Sequence, residues 1–425
     1  MTKLTVEEFA ARAADWLRQN AEPRPAADAS GGHAESTAQA NGQFSVSVFH
    51  DLSFAEEADL LERLRSWNQC KATQGYHAVA WPAAFGGLGL SSRHARAYSR
   101  LEREYQVPDS HELFSVTVGL MAPTVRAFGT PEQQEQFIGS LLRTDLYCCQ
   151  LFSEPGAGSD LASLGCRAVR DGDEWMVNGQ KVWSSGAQFA DYGLLIARTD
   201  PDQPKHKGMT AFLLPLDRAG VTVRPIKQMS GGTSFNEVFF DDVRLADDLR
   251  VGAVGEGWKV ALTTLGFERD HSATGSSGGG RRPGGSWRQV RSTAEALDVT
   301  SNPVVRDAMM RLYVQLQSEI HLNRRAADLA RGGTPGPEGS LGKLKWTEGM
   351  RLMADTVSAI LGPRLVADTG ERGTYAWGEH VLGAPGYRIA GGSDEVQRNI
   401  IGERVLGLPP EPRVDRNIAW KDVPR

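Results

Sequence analysis

The stretch CRAVRDGDEWMVNGQKVWSS, from Cys166 to Ser185, sets the class of fold. Polar and apolar residues alternate on both sides of the dipeptide Asp171-Gly172, which predicts a β-hairpin with that dipeptide at its turn. Short β-rich runs separated by polar breaks continue to Leu245, in the run VFFDDVRL. Antiparallel strands in such close succession predict a β-sandwich or β-barrel domain.

Helical patterns lie on both sides of these strands. Upstream, FAEEADLLERLRSW places Leu60, Leu61 and Leu64 on one side of a helix. Downstream, helical periodicity returns at Gly257. The order α, β, α predicts an α+β protein with a helical domain over residues 1–146, a β-domain over 147–252 and a helical domain over 253–425. Within the first domain, residues 21–42 are small, polar and broken by proline and glycine, which predicts a loop or a disordered insert.

Composition excludes several classes of function. The 425 residues suffice for two or three domains, and a net charge of −5 without a basic stripe does not suggest nucleic-acid binding. No apolar run approaches the roughly eighteen residues that span a bilayer. The N-terminus carries acids and lacks an apolar signal segment, so we expect a cytoplasmic protein. The four cysteines form neither a disulfide framework nor a metal knuckle, so we expect reduced thiols and no metal site.

A glycine-rich turn lies in QLFSEPGAGSDLASL, residues 150–164. It is not a dinucleotide fingerprint, because the third glycine is missing and no βαβ pattern surrounds it. Serine hydroxyls and free backbone N–H groups still suit an anion or a polar ring edge. From its residues alone, the segment is either a structural turn or a ligand loop.

A second glycine turn precedes a well-formed helix in RIAGGSDEVQRNIIGERVLGL, residues 388–408. Ser393 is the predicted N-cap, and acids follow it in the first turn, where the helix dipole favours them. Gly407 and Pro409 are predicted to stop the helix.

Four segments together resemble the flavin-dependent acyl-CoA dehydrogenase family, in the family's order over roughly residues 75–410. The resemblance implies an N-terminal helical domain, a middle β-domain and a C-terminal four-helix bundle, with FAD between the β-domain and the last bundle. It also implies that the chain takes an acyl-CoA substrate and passes electrons to an electron-transfer flavoprotein. The segments are SEPGAGSD, NGQKVWSSGA, VFFDDVRL with VGAVGEGW, and GGSDEVQRNIIGERVLGLP.

The resemblance also implies roles for individual residues. The Phe152 backbone and the Ser153 hydroxyl would meet the pyrimidine edge of the flavin. Ser159 would meet the pyrophosphate or the pantetheine arm of the substrate. Trp183 would lie against the ring, with Ser185 near N5 and O4. Further cofactor contacts would come from Ser184, and from Ser393 and Glu395 on the adenosine side.

The catalytic base poses a problem for this resemblance. In many members a glutamate occupies the position of Gly391, just before the glycine that matches Gly392. In the long-chain and isovaleryl branches the base instead sits in a Glu-Arg pair, which aligns with Glu268-Arg269 in TTLGFERDHS. We therefore expect Glu268 to be a relocated base, with Arg269 and Gly391 on the substrate side. The alternative is that Glu268 forms an ordinary ion pair on a helix surface.

Two family segments that reach a neighbouring subunit's FAD are absent, Arg-x-x-Phe-Gly and Gln-x-x-Gly-Gly. Similar losses occur in dehydrogenases of bacterial steroid side-chain degradation, some of which pair unlike subunits, so the acyl chain could be bulky or branched. We expect a homo-dimer or homo-tetramer, with Arg281-Arg282 holding the adenosine end, in preference to a hetero-oligomer with a related subunit. Two other functions stay open, namely a flavin oxidase or monooxygenase of the same fold and a non-catalytic subunit.

Overall fold

The structure is a computed structural model that describes residues 4–24, 46–49, 51–274, 284–330, 337–367, 376–413 and 415–424. Most of the predicted 21–42 loop and the Arg281-Arg282 pair lie outside the described residues. The backbone of Glu268 and Arg269 is described, but their side chains are not.

The N-terminal part is helical, as predicted, and its helices begin at well-formed caps. Thr5 and Ser53 each form a capping box with a glutamate three residues later. Leu60, Leu61 and Leu64 are buried on one side of their helix, as the pattern indicated. One-turn π-helices at Thr117–Met121 and Gln134–Ile138 connect α4 to α5 and α6 to α7. The helices are α1 Val6–Asn20, α2 Phe54–Ala72, α3 Ser92–Glu102, α4 Glu112–Val116, α5 Ala122–Phe128, α6 Pro131–Gln133 and α7 Gly139–Arg143.

The middle part is one mixed sheet of eight strands, mostly antiparallel. Its order is β6-β7-β3-β2-β4-β5-β8, and β1 pairs in parallel with β4. The hairpin β2–β3 forms as predicted, but its cross-strand pair Asp171–Glu174 places the turn at Gly172-Asp173, one residue later than predicted. The strands are β1 Cys148–Leu151, β2 Arg167–Asp171, β3 Glu174–Ser185, β4 Tyr192–Arg198, β5 Met209–Pro215, β6 Val221–Ile226, β7 Phe235–Ala246 and β8 Arg250–Val251.

The sheet folds over its own core, which agrees with the predicted sandwich or barrel. Residues of β3 and β7 share one buried cluster with residues of β4 and β5. The opposite side of β4 and β5 packs against the helices around α5, so all seven residues of β5 are buried. Cys148 and Cys149 lie in these two different clusters, on opposite sides of β1, as adjacent strand residues should. All four cysteines are free thiols.

Helices return after β8 and build the C-terminal part. One buried cluster joins α9, α10, α11 and α12 around Trp377. Among the described residues, no helix has the length and apolar character needed to cross a bilayer. The helices are α8 Gly257–Thr274, α9 Trp287–Ala296, α10 Pro303–Ala330, α11 Gly339–Leu361, α12 Trp377–Tyr387 and α13 Asp394–Ile400, and a π-helix at Ile401–Val405 continues α13.

Two short segments cross between these parts. Residues 46–49 belong to the C-terminal core, where Val46 is fully buried and Phe49 stacks on Tyr387 with ring centroids 4.9 Å apart. The segment 415–424 runs the other way and packs on the β-domain. There the Trp420 indole N–H donates to the Ser163 carbonyl at 3.2 Å. The domain limits 146 and 252 remain predictions. Both segments pack against a part of the chain on the other side of these limits.

Candidate active site

A large cleft of about 4990 Å³ lies between the sheet and the C-terminal helices. One side is the strand wall, formed by the loop after β1, with Phe152, Ser153 and Ser159, and by Trp183 and Ser185 of β3. The other is the helix wall, formed by Gly266-Phe267 of α8, by the turn Gly391-Gly392 and by Val396, Gln397 and Ile400 of α13. Glu112, at the start of α4, also lines the cleft. The sequence predictions had placed Ser153, Ser159, Trp183, Ser185 and Gly391 in one site, and the structure brings all five to this cleft.

A buried ion pair fixes the loop that follows β1. The Lys181 ammonium is fully buried and donates to the Phe152 carbonyl at 2.9 Å and to the Glu154 carboxylate at 2.7 Å. Glu154 also accepts from the backbone N–H groups of Gly165 and Cys166, at 2.6 and 2.9 Å. A charge this deeply buried is tolerated because it is paired and its donors are satisfied. The pair therefore holds both ends of the glycine-rich loop against β3.

Ser153 sits at the strand end that this pair fixes. Its carbonyl accepts from the Val182 N–H at 2.9 Å, which orients the residue toward the cleft. Its hydroxyl has no hydrogen-bond partner among the described residues, so it is available to a group in the cleft. The Phe152 carbonyl is already used by Lys181, which leaves the Phe152 N–H as the backbone group for a ligand.

Trp183 has an unusual backbone conformation for its residue type. Its φ is +63°, at a β-bulge between Lys181 and Ser184, and its side chain is 59% exposed. A bulky residue in the left-handed region costs free energy, and such residues cluster at functional sites. The indole begins a row of aromatic rings across the cleft, with neighbouring centroids 4.8–6.0 Å apart. The row is Trp183, Phe235, Phe49, Tyr387 and Trp346.

The two serines after Trp183 differ in their surroundings. Ser185 lines the cleft beside Glu112. Ser184 is only 2% exposed and is not part of the cleft wall. Its hydroxyl has no partner in the described part of the chain, and its carbonyl accepts from the Asn236 amide at 3.0 Å. The structure thus does not bring the Ser184 side chain to the site.

Ser159 is exposed on the glycine-rich loop, where added Cβ atoms at Gly156 and Gly158 would meet no other atom. The loop ends at Asp160, which is paired with the Lys205 ammonium at 2.8 Å. Lys205 also pairs with Asp415 of the C-terminal segment at 2.5 Å, so one buried cation ties the loop to that segment. The side chain of Ser159 remains open to a polar ligand arm.

Side-chain hydrogen bonds hold the second glycine turn, at Gly391 and Gly392. Gly391 and Gly392 have φ of +64° and +84°, which favours glycine at both positions. The buried Gln397 amide donates to both of their carbonyls, at 3.0 and 3.2 Å, and Lys343 donates to Gly392 at 2.7 Å. A glutamate at position 391 would adopt a strained backbone here, so the turn itself favours the observed glycine.

The helix after this turn begins as predicted, with the Ser393 hydroxyl accepting from the Val396 N–H at 3.3 Å. Its buried residues are polar, since Asp394 pairs with Arg388 at 2.8 Å and Gln397 holds the turn. The apolar residues Val396 and Ile400 are only half-buried, and both line the cleft. Glu395 is 75% exposed at its side chain. The adenosine roles of Ser393 and Glu395 remain predictions.

The backbone position of Glu268 is on α8, directly after Gly266 and Phe267, which line the cleft. An added Cβ at Gly266 would meet no other atom, so this turn of the helix is open. The side chains of Glu268 and Arg269 are outside the described residues, and their roles remain predictions.

Comparison with known families identifies the class of protein. The N-terminal, middle and C-terminal acyl-CoA dehydrogenase domain models match residues 50–145, 149–243 and 255–406. The chain therefore belongs to the acyl-CoA dehydrogenase family, and it is an oxidoreductase that acts on acyl-CoA.

Individual proteins and solved structures within this family are also similar to the chain. The chain is 39% identical to acyl-CoA dehydrogenase IpdE1 of Mycobacterium tuberculosis over 357 residues, 84% of this chain and 90% of that one. It is similar to the Tcur3481-Tcur3483 steroid acyl-CoA dehydrogenase, with a TM-score of 0.71 and 27% identity over 96% and 98% of the two chains. It is also similar to the ChsE4-ChsE5 complex from Mycobacterium tuberculosis, with a TM-score of 0.65 and 26% identity over 85% and 100%.

Acyl-CoA dehydrogenases are flavoproteins that typically hold FAD, and the strand wall fits such a ring. The Phe152 N–H and the Ser153 hydroxyl are free toward the cleft, which suits the polar edge of an isoalloxazine. The exposed Trp183 offers an aromatic face for stacking. Within the described residues, no cluster of histidine, cysteine or carboxylate side chains could hold a metal ion.

Sequence reasoning missed three parts of the site. The Lys181–Glu154 pair joins positions 27 residues apart. Glu154 lies in SEPGAGSD and Lys181 in NGQKVWSSGA, and only the resemblance of both segments to one family could have suggested the pair. The aromatic row needs Phe49 and Tyr387 to meet from distant parts of the chain. Glu112 was not singled out, because a glutamate in the first turn of a helix is ordinary.

Proposed function

We propose that this chain is an FAD-dependent α,β-dehydrogenase of an acyl-CoA thioester, with Glu268 as the base. The observation that carries the proposal is the shape of the helix wall. The left-handed backbone at Gly391 disfavours a side chain at the position where many relatives keep their base, while the α8 residues just before Glu268 line the same cleft. The strand wall opposite supplies unpaired polar groups that suit a flavin ring.

Each wall would contribute a different part of the chemistry. The α-proton of a thioester is weakly acidic, so its removal needs a carboxylate in a dry site, where desolvation strengthens the base. Glu268 would take that proton. The bound flavin supplies the acceptor for the hydride that leaves the β-carbon. The Ser153 hydroxyl and the Phe152 N–H would hold the ring, while Ser185 faces its reactive edge.

We further infer that the acyl group is bulky or branched. Two observations support this inference. Gly391 lines the cleft without a side chain, and the half-buried Val396 and Ile400 line the same cleft with apolar surface. The related Tcur3481-Tcur3483 enzyme is described as a steroid acyl-CoA dehydrogenase, which gives a polycyclic acyl-CoA as the first substrate to test.

A partner subunit is the second component of the proposal. Position 359–363 reads Ala-Ile-Leu-Gly-Pro in place of the subunit-crossing glutamine segment, and Leu361 is buried there. On α10, the side chains of Val304, Met310, Val314 and Leu329 are exposed, which is typical of a surface covered in an assembly. Two of the structural relatives are complexes of two named chains. We propose that a related subunit completes the adenosine end of the FAD site, in place of the homo-oligomer expected from sequence.

Native mass measurement tests the assembly. The isolated chain should carry little flavin, and mixing it with a related subunit should restore both FAD and activity. A stable homodimer or homotetramer with one FAD per subunit would instead show that no partner is needed.

The decisive experiment for the chemistry is Glu268→Gln. The amide has almost the shape of the carboxylate, so FAD should stay bound while dehydrogenation falls by about 10²–10⁴-fold. Glu256→Gln is the matched control, because Glu256 lies just before α8 with a side chain that is 43% exposed. A Glu268→Gln enzyme with most of its normal rate would remove Glu268 from this role.

The rate at which oxygen reoxidises the substrate-reduced enzyme distinguishes a dehydrogenase from an oxidase or monooxygenase. A dehydrogenase should reduce an electron-transfer flavoprotein and react slowly with oxygen after substrate reduces it. Rapid reoxidation by oxygen without that acceptor would assign the chain to the oxidases or monooxygenases of this fold.

A further inference from the structure

Glu112 is a carboxylate in the cleft wall that the proposed chemistry does not use. It is the first residue of α4 and is directly accessible from the cleft. Ser185, the residue expected to face the reactive edge of the flavin, lines the cleft beside it. The two residues are 73 positions apart in sequence and are brought together by the packing of α4 against the end of β3.

That packing is tight and leaves little freedom. Gly186 has a φ of +64°, and a Cβ added there would lie 2.8 Å from the Leu113 Cβ. Only a glycine lets the backbone after Ser185 come this close to the start of α4. The approach therefore fixes Glu112 and Ser185 next to each other.

His111 fixes the start of α4 from the other side. Its Nδ1 accepts from the Leu113 N–H at 3.1 Å, so the proton is on Nε2, which donates to the Glu57 carboxylate at 2.7 Å. Both side chains are 3% exposed. Among the described residues, the ionisable groups named near Glu112 are the neutral His111 ring with its Glu57 partner and Asp109, which precedes them in sequence and also lines the cleft.

The surroundings make Glu112 easier to protonate than an ordinary glutamate. Burial in the cleft wall raises the pKa of Glu112, and this outweighs the neighbouring Ser185 hydroxyl, which lowers it. The Glu112 side chain is exposed to the cleft, while protein surrounds its carboxyl on the other sides. The side chain is therefore accessible from the cleft although its carboxyl is partly desolvated.

We propose that Glu112 is a positioning residue that sets the direction of the Ser185 O–H bond, an inference that rests on the proposed flavin site. When Glu112 is ionised, Ser185 donates to it and turns its oxygen lone pairs to the cleft. When Glu112 is protonated, it donates to the Ser185 oxygen and leaves the Ser185 O–H free for the cleft. Ser185 can thus serve either a donor or an acceptor.

This switch matches a property of flavins. The ring nitrogen that receives hydride is an acceptor when oxidised and an N–H donor when reduced. The oxidised ring therefore favours protonated Glu112, and the reduced ring favours ionised Glu112. The pKa of Glu112 should be higher in the oxidised enzyme than in the reduced one. Between these two values, reduction releases one proton, so the midpoint potential falls less steeply with pH in that window.

The test follows the visible spectrum of the bound flavin during dye-coupled reduction of the holoenzyme at a series of pH values. The wild-type profile should contain the shallower window, and Glu112→Gln should lose it while keeping flavin. Ser185→Ala should lose it too, and the double variant should match either single variant. Glu62→Gln removes an equivalent charge from the exposed side of α2 and should keep the wild-type profile.

Each outcome decides something. A shallow window that persists in Glu112→Gln, or one that is absent from the wild type, overturns the inference. Loss of flavin from both single variants also overturns it, because an orienting pair would not be needed for binding. A wild-type chain that binds no flavin in any assembly contradicts the proposed function itself.

Discussion

The two walls of the cleft are built in opposite ways. In the strand wall, the polar groups that shape the loop are held by the chain itself, as with the buried Lys181 bridging Phe152 and Glu154. In the helix wall, the polar residues point inward, as with Asp394 and Gln397, and the apolar ones remain half-buried or exposed. Ile389 is 71% exposed and Leu406 67% exposed near the two ends of α13.

This difference indicates which part of the site is ready before any ligand binds. A hydrogen-bonded strand end surrounded by buried residues keeps its geometry without help. A helix with an uncovered apolar side gains stability only when a ligand or another subunit covers that side. We therefore expect the strand wall to be rigid in the isolated chain and the helix wall to depend on its partners.

The largest expected effect comes from breaking the strand wall. Lys181→Met keeps the length of the side chain but leaves Glu154 without its buried partner, which should lower the free energy of unfolding by about 3–5 kcal/mol. Urea denaturation measures this change. Lys259→Met is the control, because Lys259 is 66% exposed and its pair with Glu256 should be worth about 0–1 kcal/mol. Similar losses in the two variants would contradict the proposed rigidity of this wall.

The next prediction concerns ligand addition and compares the walls directly. At FAD concentrations about 100 times the dissociation constant, FAD binding stabilises the folded state by about 2.7 kcal/mol. Amide hydrogens that exchange only after FAD has left should therefore exchange up to about 100-fold more slowly. Peptides from α13 should show this slowing. Peptides from β3 should change little, because they are already protected. Equal slowing in both regions, measured by hydrogen exchange, would abolish the contrast.

A smaller effect should come from the turn in the helix wall. Gly391→Ala places a Cβ at a φ of +64°, which should cost about 1–2 kcal/mol of stability. Gly156→Ala in the strand-wall loop is the matched control, since its Cβ would meet no atom and its φ is not positive. Thermal unfolding compares the two variants. If they are equally stable, the backbone at Gly391 does not require glycine.

The smallest effects concern single hydrogen bonds to the flavin. Ser153→Ala and Ser185→Ala should each weaken FAD binding by about 0.5–1.5 kcal/mol, or about two- to thirteen-fold. Ser184→Ala is the control within the same strand, because its buried hydroxyl does not reach the cleft. Flavin titration measures all three. A loss of affinity confined to Ser184→Ala would reverse the assignment of the serines.

Local signals explain how much of the fold was predictable. Ser393 as N-cap and the leucines of α2 follow from rules that act within one or two turns of helix, and the structure has them. The hairpin was also predicted, although its turn was placed one residue early, because the choice between Asp171-Gly172 and Gly172-Asp173 depends on cross-strand register. Periodicity identifies elements better than it identifies their ends.

The candidate site was predictable only where a motif carried it. Ser153, Trp183 and Ser185 lie in segments that resemble a known family, and they meet in the cleft. The neighbourhood of Glu112 and Ser185 was not predictable, because it depends on the close approach of Gly186 to Leu113. Ser184 lies in the same segment but is buried, because the chain changes register at the bulge beside Trp183 and Ser185 lines the cleft instead.

The two crossing segments have a consequence for the order in which the chain folds during synthesis. Residues 46–49 leave the ribosome early but fill a core whose other members, such as Tyr387, are made much later. Trp420 and Asp415, which cover the loop beside Ser163 and Lys205, are synthesised after all the helices α8–α13. The β-domain therefore lacks this cover until residues 415–424 have been made. A premature stop between α13 and residue 415 should release a chain with an uncovered glycine-rich loop, to which chaperones should bind.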